Sequence, residues 1–333
     1  MKSLALLLLA LIVCAVPALA DVNITSPTQN SKVVSPFLLS ATASKCSSQV
    51  IASMSYWIDT GPSTTINGSS ITAQVASTTE AHTVHVTSLG KEGAVCQSSV
   101  AIWVVPDPAS QVPGSASSVN NIQALSTWQG TSDTAIPGGT ASGTTKIVAS
   151  PSLSGSARQF SMQFTNYGGE RYWVVFGSNP AATHFLYDGW VYLARPSGGI
   201  GNLELDTDQV MSNGDTVIYG FQCDGYSGTW DYTENASSTS DRWVNSNYGC
   251  NPRSWSTNVW HHVQIAYSRD DTGSVTYHSV WFDGVEEDIN DTVPSDYPLG
   301  WSTVLLTNLQ IDGYRASGSA TVYLDRLTIY SWQ

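Results

Sequence analysis

Residues 260–285 read WHHVQIAYSRDDTGSVTYHSVWFDGV, and this stretch predicts two neighbouring β-strands. The segments WHHVQIAYS and TYHSVWFDG are rich in β-branched and aromatic residues, whereas SRDDTG between them has the composition of a solvent-exposed turn. A weak set of calcium ligands is the alternative for that turn. Successive side chains of a strand point to opposite faces, so His261 and His262 cannot bind one metal ion together. We therefore expect a strand–turn–strand unit in which both histidines have structural roles.

The chain beyond residue 119 continues this strand-rich pattern. Further segments with strand character are RQFSMQF, RYWVVFG, WVYLA, NLELDTDQV, DTVIYGFQC, VLLTNLQID and ATVYLDRLTIY. About nine to twelve strands over roughly 200 residues, without helices, favour an all-β domain in which two sheets form a jelly roll.

The same segments resemble a known group of folds. The stretch 260–285 resembles the Trp-His-X-Val strand, the turn and the Asp-Gly-ending strand of laminin-G-like and concanavalin A-like sandwiches, and ATVYLDRLTIYSW resembles their last strand. This resemblance covers roughly residues 120–333 and implies a concanavalin A-like jelly roll. It implies no single function, because lectins, glycoside hydrolases, polysaccharide lyases and adhesion modules share the fold.

A second all-β domain is predicted at residues 21–105. Short strand-like segments such as FLLSATAS, IASMSYWID and HTVHVTSLG alternate there with turn residues, which is typical of a small antiparallel sandwich. VNITSPTQNSKVVSPFLLSATAS resembles the first two strands of bacterial immunoglobulin-like modules, which implies an immunoglobulin-like β-sandwich. The Pro- and Ser-rich residues 106–119 are predicted to be a linker.

The N-terminus predicts export. Lys2 precedes the apolar run LALLLLALIVCAV, and Ala18-Leu19-Ala20 has the small residues of a cleavage site, so residues 1–20 are predicted to be a signal peptide. We expect a secreted protein, extracellular or periplasmic, without membrane insertion. The formal net charge of −13 disfavours nucleic acid as a partner and is compatible with neutral glycans or calcium. The sequence does not indicate the oligomeric state.

Four cysteines follow the predicted signal peptide. An even number in an exported chain favours two disulfides, and neighbours in sequence suggest the pairs Cys46–Cys96 and Cys223–Cys250. Four cysteines allow three pairings. No CxxC or Cys/His spacing supports a zinc site instead.

The main chemical candidate is GNLELDTDQV, residues 201–210. In a strand, Glu204, Asp206 and Asp208 share one face while the leucines share the other. The segment resembles the Glu-X-Asp-X-Glu strand of family 16 glycoside hydrolases. That resemblance implies a nucleophile at Glu204, an assisting acid at Asp206 and the acid/base at Asp208, where the family has Glu.

Two other interpretations of these acids remain open. The row is also compatible with the solvated face of an ordinary sheet. Alternatively, the carboxylates and Asn202 hold sugar hydroxyls or a calcium ion, although no cofactor is required by the predicted chemistry.

Aromatic side chains cluster among polar ones between residues 224 and 255. Rigid aromatic faces beside Asp, Asn and Arg are typical of carbohydrate recognition. The predicted substrate-binding residues of this segment are Trp230, Tyr232, Trp243 and Trp255, with Asp224 and Arg253 as polar companions. The alternative is that these rings pack a long loop without touching a ligand.

The sequence thus predicts a protein that acts on or binds a polysaccharide. A glycoside hydrolase that uses the acid row is the first hypothesis, and a non-catalytic carbohydrate-binding or adhesion protein is the second. A polysaccharide lyase is the third, with His184 and Tyr187 as its base and acid.

Overall fold

The computed structural model describes residues 22–133, 137–196, 198–237 and 240–333. The chain forms two compact units. The first comprises residues up to Asn30 together with Leu39–Ala73 and His82–Ile102, and the second comprises Ser31–Leu38, Gln74–Ala81 and Trp103–Gln333. The predicted signal peptide lies outside the described residues, and the predicted domain bounds stay predictions.

The regular secondary structure of the described ranges consists of β-strands apart from three short 3₁₀ turns, which confirms the all-β class. Helical structure is limited there to three 3₁₀ turns, at Pro108–Gln111, Ile122–Ala124 and Pro252–Ser254. None of the described helical segments has the length and apolarity to span a bilayer. The immunoglobulin-like and jelly-roll assignments stay predictions.

Eight strands lie in residues 22–105: β1 Val22–Ser26, β2 Ser31–Val34, β3 Phe37–Ala43, β4 Ile51–Ile58, β5 Thr64–Asn67, β6 Ser70–Val75, β7 Ala81–Gly90 and β8 Val95–Val105. β3 pairs with β1 and β6 in one sheet. β4 pairs antiparallel with β5 and β7.

The strands of the remaining chain are β9 Ser117–Val119, β10 Gln129–Asp133, β11 Thr140–Val148, β12 Ala157–Thr165, β13 Gly169–Gly177, β14 His184–Leu193, β15 Ile200–Val210, β16 Thr216–Tyr219, β17 Phe221–Asp224, β18 Thr229–Ser237, β19 Ser240–Gly249, β20 Trp260–Arg269, β21 Ser274–Phe282, β22 Val285–Pro294, β23 Asp296–Tyr297, β24 Leu305–Gly313 and β25 Ser317–Trp332. Sheet 1 has the order β10-β13-β24-β15-β17-β18-β19, with β16 and β23 beside it. Sheet 2 of this unit has the order β11-β12-β25-β14-β20-β21-β22.

The strand–turn–strand unit predicted at residues 260–285 is present as β20 and β21. Val263 lies opposite Phe282 in this antiparallel pair. In the turn, the Asp270 carboxylate accepts hydrogen bonds from the backbone of Thr272 at 2.8 Å and of Ser274 at 3.0 Å. The acid therefore caps its own turn, as Asp commonly does.

Alternation along each strand divides sheet 1 into a core face and an outer face. Leu203 and Leu205 of β15 are buried in one hydrophobic cluster with residues from both sheets, such as Leu309 of β24 and Val263 of β20. The residues between them point the other way. We call the side of sheet 1 opposite this cluster the outer face.

The segment predicted as a linker is folded. Asp107 accepts a 2.9 Å hydrogen bond from the backbone of Ala109 and so caps the first 3₁₀ turn. β9 then pairs antiparallel with β25, where Val119 lies opposite Ile329. Ladder pairing and capping thus hold these Ser- and Pro-rich residues in place.

Both predicted disulfides are present. Cys46 and Cys96 are joined with their Cα atoms 5.7 Å apart, and Cys223 and Cys250 with theirs 5.2 Å apart. The second bond connects the core side of β17 to the segment that follows β19.

Candidate functional site

The three acids predicted as catalytic all lie on the outer face of β15. Their side chains are nevertheless buried, since Glu204 and Asp206 are each 7% exposed and Asp208 is 4% exposed. A freely solvated row of acids is therefore ruled out.

Each carboxyl group has its own hydrogen-bond partner. Gln310 Nε2 donates to Glu204 Oε1 at 3.0 Å, and Asn308 Nδ2 donates to Asp208 Oδ2 at 3.2 Å. The backbone N–H of Phe221 donates to Asp206 Oδ1 at 2.8 Å.

Burial changes the acidity of the row. It raises the pKa of Glu204 and of Asp206 well above their usual ranges, and the neighbouring acid adds to each shift. Burial raises the pKa of Asp208 to about 7, while the Arg171 cation on β13 opposes the rise. Burial therefore favours the protonated form of these carboxyl groups, and a protonated carboxyl group can donate a hydrogen bond as well as accept one.

The strand register places a tryptophan on each side of this row. Asn308 lies opposite Trp173 on one strand and opposite Asp206 on the other. Gly220 lies on the far side of Asp206, and its carbonyl accepts a hydrogen bond from the backbone N–H of Thr233. Thr233 in turn lies opposite Trp243. The outer face thus carries one transverse row: Trp173, Asn308, Asp206, Gly220, Thr233 and Trp243. Five strand spacings of about 4.8 Å give this row a length of roughly 24 Å.

A second transverse row runs beside the first and is almost entirely polar. Its members, in order across the strands, are Arg171, Gln310, Glu204, Gln222, Asp231 and Asn245. The Asp231 carboxylate accepts hydrogen bonds from Thr229 Oγ1 at 2.6 Å and from Ser227 Oγ at 3.1 Å. Burial raises the pKa of Asp231 to about 7.

A pocket of about 470 Å³ opens at the Asp208 end of the acid row. We call it the Trp173 pocket. Its lining consists of Arg171, Trp173, Val175, Asp208, Trp301, Ser302, Val304, Leu306 and Asn308. Aromatic and aliphatic walls with a few polar groups are typical of ligand sites in this size range.

Three of the aromatic residues predicted to bind substrate lie in the core instead, so that prediction is wrong for them. Trp230 is 1% exposed and stacks on Phe221, with ring centroids 5.4 Å apart. Tyr232 and Trp255 are buried in the same hydrophobic cluster. In β18, alternation puts Trp230 and Tyr232 on the core face and leaves the outer face to the polar residues between them.

The remaining predicted contacts lie at the outer face or its margin. The side-chain amide of Asn202 is oriented with its nitrogen toward Asp224. In this orientation the nitrogen donates a 2.6 Å hydrogen bond to Asp224 Oδ1. The Arg253 guanidinium lies 3.5 Å from the ring centroid of Tyr314 and donates to the Gly225 carbonyl at 2.7 Å. Trp243 is partly exposed. Their roles toward a ligand stay predictions.

The histidines are held by neighbouring acids. His261 Nδ1 pairs with Asp283 at 2.7 Å in the interior, and His262 Nε2 pairs with Asp188 at 2.7 Å on the opposite side of β20. The pair proposed for a lyase does not form, because Tyr187 is 1% exposed and lies in the core while His184 is exposed. The base and acid of that hypothesis therefore lie on different faces of sheet 2.

Potential metal-ion ligands do not converge in the part of the chain that the structure describes. No group of three or more His, Cys, Asp or Glu residues there is arranged to hold a metal ion. Calcium also binds backbone carbonyl and side-chain amide oxygens, so it stays a sequence-based hypothesis.

Sequence reasoning missed the residues of β13 and β24 that complete the site. In RYWVVFG, alternation puts Arg171 and Trp173 on the face opposite Tyr172. The sequence therefore indicates that these two side chains share one face of the strand. In VLLTNLQID the same rule groups Asn308 with Gln310. What the sequence does not contain is that β24 lies beside β15 and that β13 lies beside β24.

Comparisons with known proteins establish no family for this chain. No family model matches, and no curated protein matches. Among solved structures, a carbohydrate-binding module of the β-sandwich superfamily has 11% identity and a TM-score of 0.35, covering 92% of this chain and 96% of its own. The carbohydrate esterase of Shiga toxin-encoding bacteriophage phi24B has 9% identity and a TM-score of 0.38, covering 66% of this chain and 100% of its own.

A third solved structure is similar at the same low level. The family 11 carbohydrate-binding module of Clostridium thermocellum has 11% identity and a TM-score of 0.28, covering 64% of this chain and 94% of its own. Similarities of this size establish neither a common fold nor a common function.

Proposed function

We propose that this chain is an exported carbohydrate-binding protein whose glycan lies across the outer face of sheet 1. The observation that carries the proposal is the transverse row with Trp173 and Trp243 at its ends and amide and carboxyl groups between them. Indole faces stack on the C–H faces of sugars, and the intervening groups can pair with hydroxyls. A length of roughly 24 Å suits several sugar units of one chain.

The acids of the face favour an uncharged glycan over an anionic one. Seven acids lie on or beside it, namely Asp133, Glu204, Asp206, Asp208, Asp224, Asp231 and Asp312. Arg171 is the cation that acts on the acid row, and it already pairs with Asp133 at 3.2 Å. Bringing a uronate or sulfate against these groups would place like charges together.

Binding is tested by screening the protein against a broad glycan panel and then measuring the affinity of tryptophan variants for any glycan retained. We expect Trp173→Ala and Trp243→Ala each to weaken binding about tenfold or more, because each removes a stacking face. Trp103→Ala is the matched control, since Trp103 is an exposed tryptophan of β8. Unchanged affinity in both outer-face variants would place the glycan elsewhere.

Glycoside hydrolysis is the second candidate function, favoured by the cluster of buried carboxyl groups with raised pKa values. Asp208, with a pKa of about 7, would serve as the general acid, and Glu204 would have to lose its proton to serve as nucleophile or base. The raised pKa of Glu204 disfavours the ionised nucleophile that the family 16 resemblance implies, which supports binding over hydrolysis.

Hydrolysis is tested by assaying new reducing ends on the glycans that bind. If the protein is an enzyme, Glu204→Gln is expected to abolish turnover while Glu92→Gln, at an exposed turn, retains it. Binding without any new reducing ends would leave the chain as a non-catalytic module. Addition of calcium or a chelator in the same assay tests the calcium hypothesis.

A further inference from the structure

The Trp173 pocket contains a buried acceptor without a partner. Asp208 Oδ2 accepts from Asn308, but Asp208 Oδ1 has no hydrogen-bond partner among the described residues, although the side chain is 4% exposed. An unpaired buried polar atom costs free energy that a ligand donor would recover. A group that fills this pocket should therefore bring an N–H or O–H to Asp208.

The walls around this acceptor are apolar. Val175, Val304 and Leu306 line the pocket together with the indoles of Trp173 and Trp301. Val175 is 40% exposed and Trp301 is 44% exposed, so both offer apolar surface to a ligand. A hydroxyl group alone leaves this surface unmatched, whereas a methyl group would bury it favourably.

The same pocket also contains a strong donor. Arg171 pairs through Nη1 with Asp133, and a guanidinium has five N–H donors, so one ion pair does not exhaust it. The pocket thus combines one acceptor, one cationic donor and an apolar wall.

We propose that the Trp173 pocket takes the acetamido group of an N-acetylated hexosamine unit. The amide N–H donates to Asp208 Oδ1, the carbonyl oxygen accepts from Arg171, and the methyl group packs against Val175, Val304 and Leu306. This inference rests on the proposed glycan binding and names the class of sugar that is recognised.

Other substituents match the pocket less well. An O-acetyl group has the methyl and the carbonyl but no N–H for Asp208. A free ammonium supplies donors but no methyl, and it lies beside the Arg171 cation. A carboxylate has no donor for Asp208 Oδ1, and a plain hydroxyl leaves the apolar wall unfilled.

Calorimetric titration with three β-1,4-linked tetrasaccharides that differ only at C2 tests the proposal. The probes are tetra-N-acetylchitotetraose, its fully de-N-acetylated counterpart and cellotetraose. We expect the N-acetylated probe to bind about tenfold or more tightly than cellotetraose, given one buried methyl and one added hydrogen bond. The de-N-acetylated probe should lose that advantage.

Variants connect the preference to the pocket. Val175→Thr places a hydroxyl against the methyl site at a partly exposed position and should reduce the affinity ratio between the N-acetylated probe and cellotetraose to less than about threefold. Asp208→Ala, which removes the acceptor, should reduce the same ratio. Val259→Thr is the matched control, because Val259 is 42% exposed and does not line the pocket, and it should retain the wild-type ratio.

Several outcomes would overturn the inference. Equal affinities for the N-acetylated probe and cellotetraose would remove the acetamido assignment while leaving glycan binding intact. Equal affinities for the N-acetylated and de-N-acetylated probes would indicate recognition of another group. Failure of all three probes also rejects the acetamido assignment, and the broad glycan panel then decides separately whether the proposed binding function survives.

Discussion

The backbone N–H of Phe221 donates a 2.8 Å hydrogen bond to the side chain of Asp206, although the Phe221 ring is buried in the core. The bond forms where the partner of β15 changes from β16 to β17. Thr207 pairs with Tyr219, and Glu204 pairs with Gln222, so the ladder is interrupted between these two registers. The interruption supplies a donor to a carboxyl group at the middle of the candidate site.

Gly220 occupies this interruption, and we predict that Gly220→Ala is destabilising. A Cβ at Gly220 would lie 2.5 Å from Thr233 Cγ2 and 2.7 Å from Thr233 Oγ1, and the branched Thr233 side chain has little freedom to move. The expected loss is about 1–3 kcal/mol in the free energy of unfolding, measured by urea denaturation. Gly177→Ala is the control, since nothing lies within 4 Å of the added methyl. Equal stability of the two variants would contradict close packing at Gly220.

The stability of the protein should fall as the pH rises from about 4 to 7. Burial raises the pKa values of Asp208 and Asp231 to about 7 from 3.8, so each folded-state carboxyl retains a proton that the unfolded chain has lost. The stabilisation that each retained proton provides is complete below the pKa of the group in the unfolded chain. It is lost, at about 1.4 kcal/mol per pH unit for each group, as the pH rises through the pKa of the group in the folded protein. Thermal unfolding across this range should show a smaller slope for Asp208→Asn. Asp271→Asn, at an exposed turn, should retain the wild-type slope.

Substitution of Asp325 should destabilise the protein more than substitution of most other acids outside the candidate site. Its carboxylate accepts hydrogen bonds from Ser152 Oγ at 2.7 Å, Leu153 N at 2.6 Å and Ser154 N at 3.0 Å. Although burial opposes it, these bonds hold the pKa of Asp325 below its usual range. We expect Asp325→Ala to lower the free energy of unfolding by about 3 kcal/mol, because several backbone and hydroxyl donors lose a charged acceptor. A change below about 0.5 kcal/mol, as expected for an exposed surface residue, would show that these bonds contribute little.

The Cys223–Cys250 bond should stabilise the segment that carries Trp243. Its two cysteines are 27 residues apart, and the loop-closure relation assigns such a loop about 3.5 kcal/mol. We therefore expect the Cys223→Ala, Cys250→Ala double variant to unfold at a lower temperature and to bind any retained glycan more weakly. Full affinity in a destabilised but folded double variant would show that Trp243 is positioned without the bond.

Local patterns were sufficient for several parts of this structure. The composition of residues 260–285 predicted the β20–β21 pair, and the even number of cysteines together with their order in the chain suggested both disulfide pairs. Alternation in GNLELDTDQV placed three acids on one face of a strand. These features depend on neighbours in the sequence or on a rule of period two, which the chain carries by itself.

Which face is buried, and what lies beside it, was decided only by tertiary structure. Alternation grouped Trp230 with Tyr232 and separated them from Asp231, but it did not say which group faces the core. The order β13-β24-β15 brings Trp173 and Asn308 to Asp206 from segments about 30 and 100 residues away. The sequence by itself determined the strands, the shared face of the acids and the cross-links. Burial of those acids, their raised pKa values and the pocket beside them arise from contacts between distant strands, because a carboxyl group is desolvated only by what packs over it.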